Sequence, residues 1–468
     1  MKLSHGFTLL LSLLLITAEA REQRPLTVPG TGVIGVQARH LDPEFWIRQQ
    51  AHATRVVMDS AGIVAQNQRL QRLDPSVHDL EKLPSTLTRA EVTAWIEKLS
   101  SPPHLPLFDD RGAMLEPSTI AAFSDSLDLP AIPLTQATRF GLVTHRAALR
   151  TFPTLTRVFK QVGDTDIDRF QESALFPGTA VAIIHRSRDG QWRFVISNLY
   201  AAWIAKDAVA EGSKEQVLGY AGKSPYLVVT GAKAQTVFTP EQPAVSELQL
   251  DMGVRVPLLA QWPADKPVNG QHAYAAHVIE LPVRNGDGSL QFVPALLPRT
   301  ADAHTRYLPL NRANILHQGF KFLGERYGWG HDYNGRDCSG FVSDVYSSFG
   351  VRLPRNTRDQ GVSPALNRIT FTDADDHMVR LAALRQLQVG DLVYIPGHVM
   401  MVIGRDHGEP YVIHDVSGIS FRKPGGEKTR TALNAVSVSP LTPLLFDDTQ
   451  TFVDRIYSIQ RIRPQARP

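Results

Sequence analysis

The chain holds one cysteine in 468 residues, Cys338. That excludes an intramolecular disulfide and any zinc site built on paired cysteines. There is no HExxH pair, no glycine-rich phosphate loop and no dinucleotide fingerprint, so neither a metal nor an organic cofactor is expected. Apolar runs are short: the longest, Phe7 to Ile16, cannot span a bilayer. Charge of either sign is not in excess, with 49 Lys and Arg against 46 Asp and Glu. A net charge of +3 is too weak to imply a nucleic-acid partner, although a mildly basic surface suits an anionic polymer. No segment is biased enough to count as low-complexity.

What is present begins with a secretory pattern. Lys2 supplies the charge, Phe7 to Ile16 the apolar core, and Ala18-Glu19-Ala20 a small-x-small cleavage site, so residues 1–20 read as a signal peptide. No cysteine lies near that site, which argues against lipid attachment. The expected location is therefore periplasmic or secreted. A lone free thiol is a hazard in an oxidising compartment unless it has a task.

Cys338 stands in Tyr327-Gly-Trp-Gly-His-Asp-Tyr-Asn-Gly-Arg-Asp-Cys-Ser-Gly-Phe-Val342. A turn-forming stretch precedes it. A helical apolar pattern follows: Phe341, Val342, Val345 and Phe349, with Gly350 as the C-terminal stop. The thiol thus opens a helix, where unpaired N–H groups favour thiolate and can hold a developing oxyanion. The alternative is a small inert core residue.

A thiolate nucleophile needs a base, and the base an orienting group. The segment Gly390-Asp-Leu-Val-Tyr-Ile-Pro-Gly-His-Val-Met-Met-Val-Ile-Gly404 reads as two short strands broken at Pro396-Gly397, with His398 after the break. A turn at Asp406-His-Gly408 leads to a third strand carrying His414. Adjacent antiparallel strands can set the two histidines side by side. His398 is the candidate base. His414 is the candidate orienter, or else a core histidine bonded to backbone. His331, His377 and His407 lie in polar loops and are expected to be solvated.

Together these motifs, with Leu353-Pro354-Arg355 and Gly390-Asp391-Leu392, resemble the NlpC/P60 family of cell-wall cysteine peptidases over roughly residues 305–440. The resemblance implies a papain-like fold and a Cys…His…His order. It departs at His331, where a second glycine is usual after Trp-Gly, and this leaves the loop shape open. It further implies that the Tyr327 hydroxyl helps the oxyanion hole, unless the ring only packs on the preceding helix. Asp337 and Ser339 would line a substrate subsite, and Asp337 is equally a candidate helix N-cap. Thr357 is a further candidate substrate contact.

Upstream, residues 30 to 125 read as mostly helix and loop, with a capping box at Thr88-Arg-Ala-Glu91. From about Arg139 the texture changes to short strands with Asp-Gly turns, as in a small β-barrel. The run Phe176-Pro-Gly-Thr, Asp-Gly-Gln-Trp, Tyr-Ala-Ala-Trp-Ile resembles a bacterial SH3-like domain. In multidomain peptidases of this kind a barrel tyrosine reaches the substrate pocket; Tyr200 is the matching position, or simply a barrel-surface tyrosine. A second, more divergent SH3-like barrel is expected from Val237 to Leu297. A helix from Asn311 to Arg326 is expected to open the catalytic domain.

The expected architecture is multidomain α+β. It comprises a signal peptide (1–20), a mostly helical N-terminal stabilising region (21–130), SH3-like β-barrels at 131–235 and 236–300, and a papain-like NlpC/P60 catalytic domain at 301–468. The whole resembles γ-D-glutamyl-L-diamino acid endopeptidases, which implies peptidoglycan-derived peptides as substrates, with no nucleic acid and no membrane span. An amidase or acyltransferase of the same fold, and a non-catalytic SH3-type wall-binding protein, remain as alternatives.

Overall fold

Near-continuous apolar runs from Leu392 to Ile413 build the sheet that organises the C-terminal domain. The structure, a computed structural model, describes residues 26–103 and 106–464. The signal-peptide reading of residues 1–20 therefore lies outside the described residues. Six antiparallel strands form this sheet in the order Asn367–Thr370, Ser458–Arg461, Leu392–Ile395, His398–Asp406, Glu409–Arg422 and Lys428–Pro440. The two-residue Pro396-Gly397 turn joins the strands that carry Ile395 and His398. Side chains alternate across the sheet. Val399, Met401, Ile403 and Ile413 face the helix Cys338–Ser347, while Met400, Val402 and Val412 pack beneath, against Phe452 and Ile456.

The helix Cys338–Ser347 forms where the periodicity requires it. Asp337 caps it by accepting from the Gly340 N–H at 2.8 Å. Phe341, Val342 and Val345 are fully buried on its inner face, each worth roughly 1.5–3 kcal/mol. Gly350 ends the segment at φ +79°, a left-handed conformation that glycine adopts without penalty. The preceding helix is shorter than the sequence suggests. It spans Arg312–Phe320, with Asn311 as its N-cap, and Gly324 at φ +83° turns the chain before Arg326.

Residues 139–212 form one seven-stranded antiparallel sheet in the order Val209–Gly212, Arg139–Val143, Ala180–Arg186, Trp192–Ser197, Ala201–Ala205, Ala147–Arg150 and Gln171–Leu175. One face closes on Val143, Leu149, Val181 and Ile204. The other receives the N-terminal region through Val92, Ile96, Phe123 and Leu127, packed on Phe140, Phe194 and Trp203. The capping box at Thr88 and Glu91 forms as read, opening the helix Arg89–Leu99.

The second β-rich unit differs from expectation in its boundary and its make-up. The strand Tyr226–Val229, placed with the first barrel on sequence, pairs instead with Arg255–Pro257 and Ala303–His304. A long hairpin, Ala276–Arg284 with Leu290–Pro298, and the pair Lys233–Gln235 with Gln249–Asp251 complete the unit around its own core. Among the described residues no helix is long and apolar enough to cross a membrane.

The units meet at a buried ionic junction. The Arg336 guanidinium, wholly buried, donates to Asp344 of its own domain at 2.5 Å, to Glu325 at 2.7 Å and to Asp251 of the second β-unit at 3.1 Å. Arg146 of the first barrel pairs with the same Asp251 and donates to the carbonyls of His331 and Gly335. Burial pushes Asp344 up to about 6 even though Arg336 opposes it.

Candidate active site

Cys338 opens its helix as expected, but the thiol is not ionised at rest. Burial and the neighbouring Asp337 charge push it up to about 11, outweighing the Thr357 hydroxyl at 3.5 Å and the Val399 backbone N–H. The sequence-based expectation of a favoured thiolate is thereby corrected. The helix end is real, but desolvation of the charged form costs more than the helix end returns. Contact with Val399 sets the sulfur beside the residue that follows His398.

The two histidines meet as the strand pairing requires. His398 Nε2 lies 2.8 Å from His414 Nδ1, and His414 Nε2 lies 2.9 Å from Ser439 Oγ. Burial pushes His398 down to about 4, and burial with His398 alongside holds His414 well below the usual range. Both rings are neutral near pH 7. Cys338 and His398 are thus both uncharged at rest. Tyr327 is buried beside them; burial, then the Cys338 and Asp337 charges, raise its hydroxyl, which keeps its proton and can donate.

Asp337 is both an N-cap and a member of a buried polar cluster. Arg355 donates to its carboxylate at 2.8 Å, to the Ser339 hydroxyl at 2.9 Å, to Ser173 of the first barrel at 2.6 Å, and contacts His331 Nδ1 at 2.9 Å. Burial acts to raise Asp337, but Arg355, the Gly340 N–H and Ser339 together hold it below the usual carboxylate range. His331 is not solvated as expected but buried. Its backbone takes φ +67°, which supplies the left-handed turn a glycine would otherwise make. Its ring lies over Gly340, where an added Cβ would stand 2.5 Å from His331 Cε1. Burial and Arg355 keep that ring neutral.

The first barrel reaches this cluster directly. Its strand Gln171–Leu175 runs along the loop before Cys338, with Gln171 Nε2 donating to the Gly330 carbonyl at 2.8 Å and Trp329 Nε1 donating to the Gln171 carbonyl at 3.0 Å. Tyr200 is drawn inward, not left on the barrel surface. Its hydroxyl donates to Glu172, which also accepts from Thr151. Burial and the Glu172 charge raise the Tyr200 hydroxyl, and the charges of Arg355 and Asp337 bear on it as well.

Residues 324–436 match the NlpC/P60 family, and residues 153–205 match the SH3 domain of the SH3b1 type. The C-terminal third carries an NlpC/P60 domain. The family is one of cysteine peptidases that act on peptidoglycan. The chain is 29% identical over 215 residues to the γ-D-glutamyl-L-lysine dipeptidyl-peptidase of Bacillus cereus, a match covering 43% of this chain and 54% of the relative. The chain thus spans about half the length of the curated relative it matches. Among solved structures it resembles an NlpC/P60 endopeptidase from Photobacterium damselae subsp. piscicida, with a TM-score of 0.72, 16% identity, and coverage of 93% of this chain and 98% of that one. An NlpC/P60 family protein from Bacillus cereus aligns at a TM-score of 0.47 and 19% identity, over 69% of this chain and all of that one.

Within the NlpC/P60 domain, Cys338 is brought against Thr357, Asp337, Tyr327 and the Val399 N–H, Ser339 joins Asp337 on Arg355, and His398 meets His414 one residue before Val399, while Tyr200 approaches Asp337 and Arg355 from the barrel. Sequence reasoning missed Glu172, Arg355, Ser439 and Asp415. Arg355 was visible in Leu-Pro-Arg but had no assigned partner. Glu172 and Ser439 carried no local signal, because each is brought in by strand pairing. Asp415, next to His414, is pushed up to about 9 by burial and by Asp337 and Glu325, and is neutral near pH 7.

The neutral resting pair has a measurable consequence. Alkylation of Cys338 by iodoacetamide should quicken about tenfold per pH unit from pH 7 to about 10, with no plateau, since the thiolate fraction grows that way below the thiol's pKa. A preformed thiolate–imidazolium pair would instead give a flat rate across this range. Cys338 is the only cysteine, so intact-mass measurement reads the rate directly.

Proposed function

We propose that this protein is an extracytoplasmic cysteine endopeptidase. It would hydrolyse the bond between the γ-carboxyl of D-glutamate and a diamino acid, meso-diaminopimelate, in peptidoglycan stem peptides, favouring short peptides with a free N-terminal L-alanine. The observation that carries this reading is the approach of barrel residues Tyr200 and Glu172 to Asp337 and Arg355. The carboxylates of Glu172 and Asp337 there suit an ammonium group better than a neutral, glycan-linked amide. The name of the Bacillus cereus relative, a γ-D-glutamyl-L-lysine dipeptidyl-peptidase, supports the same bond type.

In this mechanism the Cys338 thiol passes its proton to His398 and attacks the γ-carbonyl. The Cys338 N–H and the Tyr327 hydroxyl receive the oxyanion, where preorganised donors act without reorganisation. His398 then protonates the leaving amine, releasing the diamino acid. It next takes a proton from water, which hydrolyses the thioester and frees L-Ala-D-Glu. His414 orients the His398 ring throughout. The water-excluded setting suits a pair that becomes charged only during reaction.

Changing Glu172 to Gln should lower kcat/KM on L-Ala-γ-D-Glu-meso-diaminopimelate by about 10- to 100-fold. That corresponds to the roughly 1.5–3 kcal/mol of a charge-assisted hydrogen bond. The same change should leave hydrolysis of the N-acetylated peptide, already slow, nearly unaltered. Efficient release of peptides from intact sacculi by the wild type would sink the short-peptide reading. Product analysis would separate hydrolysis from acyl transfer.

A further inference from the structure

We propose that Ser439 is a positioning residue of this active site, holding His414 in the one tautomer that leaves His398 able to accept the Cys338 proton. The inference rests on the reading of Cys338 and His398 as nucleophile and base. Strand Glu409–Arg422 pairs antiparallel with Lys428–Pro440, placing Ser437 directly opposite His414 and Ser439 opposite Val412. Residues two apart on a strand share a face, so Ser437 and Ser439 both stand on the face of His414. Ser437 is spent on the Ala435 carbonyl. Ser439, wholly buried, is the one whose hydroxyl meets His414 Nε2, at 2.9 Å.

Proton placement follows from the chain of contacts. His398 engages His414 through Nε2, so Nδ1 is the nitrogen left for the thiol. To accept at Nδ1, a neutral His398 must carry its hydrogen on Nε2 and donate it to His414 Nδ1. His414 must then carry its own hydrogen on Nε2. That donor is buried and needs an acceptor, and an unpaired buried N–H costs enough to favour the other tautomer. The Ser439 oxygen stands 2.9 Å away and can accept it; a hydroxyl can also donate, so the direction here follows from the role of His398 as base. Without that hydroxyl, His414 gains by moving its hydrogen to Nδ1, which turns His398 around electronically: Nε2 becomes the acceptor and Nδ1 the blocked, protonated nitrogen. The same order of donors is needed when His398 becomes imidazolium, because its Nε2–H must still find a free His414 Nδ1.

The test compares Ser439→Thr, which keeps the hydroxyl, with Ser439→Val, which has the same shape and none. The His414 tautomer is the first readout, since it needs no substrate. Nitrogen-15 spectra of histidine-labelled protein, with His414 assigned from a His414→Gln variant, should show the Nε2–H tautomer in wild type and Thr and its loss in Val. On the tripeptide, kcat should fall in Val with KM unchanged. If Val fails to fold, Ser439→Ala removes the hydroxyl without added bulk and takes its place. An unchanged His414 tautomer without the hydroxyl would overturn the proposal. If the tripeptide is not cut but the His414 tautomer still follows the hydroxyl, the positioning role stands and the substrate reading fails.

Discussion

Replacing Cys338 by Ala is expected to remove tripeptide hydrolysis altogether, a loss on the order of 10⁴-fold or more in kcat. A nucleophile–base unit fails as a whole when its nucleophile goes, because no other group can form the acyl intermediate. Binding should survive. Cys338 touches Thr357 and Val399 but is not part of the Arg355–Asp337 cluster or of the Tyr200–Glu172 pair. Calorimetric titration of the variant should therefore give a dissociation constant within a few-fold of the wild-type KM. Mass spectrometry of the reaction decides the outcome: L-Ala-D-Glu and free diaminopimelate from wild type, and neither from the variant. Residual turnover within about tenfold of wild type would show that the thiol is not the nucleophile.

The largest effect on stability is expected at Arg336, two residues before Cys338. Arg336→Met keeps the length and apolar stem over the Phe322 ring, whose centroid lies 4.3 Å from the guanidinium carbon. It leaves Asp344 buried without its ion-pair partner, while Asp251 keeps Arg146. Breaking a buried pair by deleting one partner costs about 3–5 kcal/mol, because the remaining charge is uncompensated. At roughly 2–4 °C per kcal/mol the first thermal transition should fall by about 10 °C. The loss should shrink at low pH. With the cation gone, Asp344 has a raised folded pKa, so the folded variant holds more protons than the unfolded chain, and its stability declines as pH rises through the carboxylate range. Differential scanning calorimetry at pH 5 and pH 8 tests both points. A deficit that is equal at the two pH values, or absent, would show that the junction carries little net electrostatic energy. Because Asp251 belongs to the second β-unit and Arg146 to the first barrel, the variant should also loosen the attachment of both to the NlpC/P60 domain.

The placement of Cys338, His398 and His414 was legible because each residue sits in a local pattern that physical chemistry reads directly. Asp337 before an apolar period of 3.6 is a helix start. Pro396-Gly397 between two β-branched runs is a hairpin. His414 follows one strand later. The helix from Asn311 was overextended, because apolar spacing through Leu323 continued the pattern and only Gly324 in a left-handed conformation marked the stop. The boundary of the second β-unit was misplaced for a related reason: Tyr226–Val229 looks like any buried strand, and nothing in it says which neighbour it joins. His331 was taken for a solvated loop residue because its burial comes from Arg355 and Phe176, distant in sequence.

The sequence alone thus determined where the candidate nucleophile and base stand and which elements carry them, since capping, periodicity and turn chemistry act over a few residues. The tertiary structure decided the charge state of the pair, because burial and the field of Asp337 depend on everything packed around Cys338. It also decided what surrounds Asp337 and Arg355. Tyr200, Glu172 and Ser173 reach the site only because a strand of one unit docks along a loop of another, and Ser439 reaches His414 only through strand register. Local forces choose elements, while desolvation and long-range pairing choose what those elements can do.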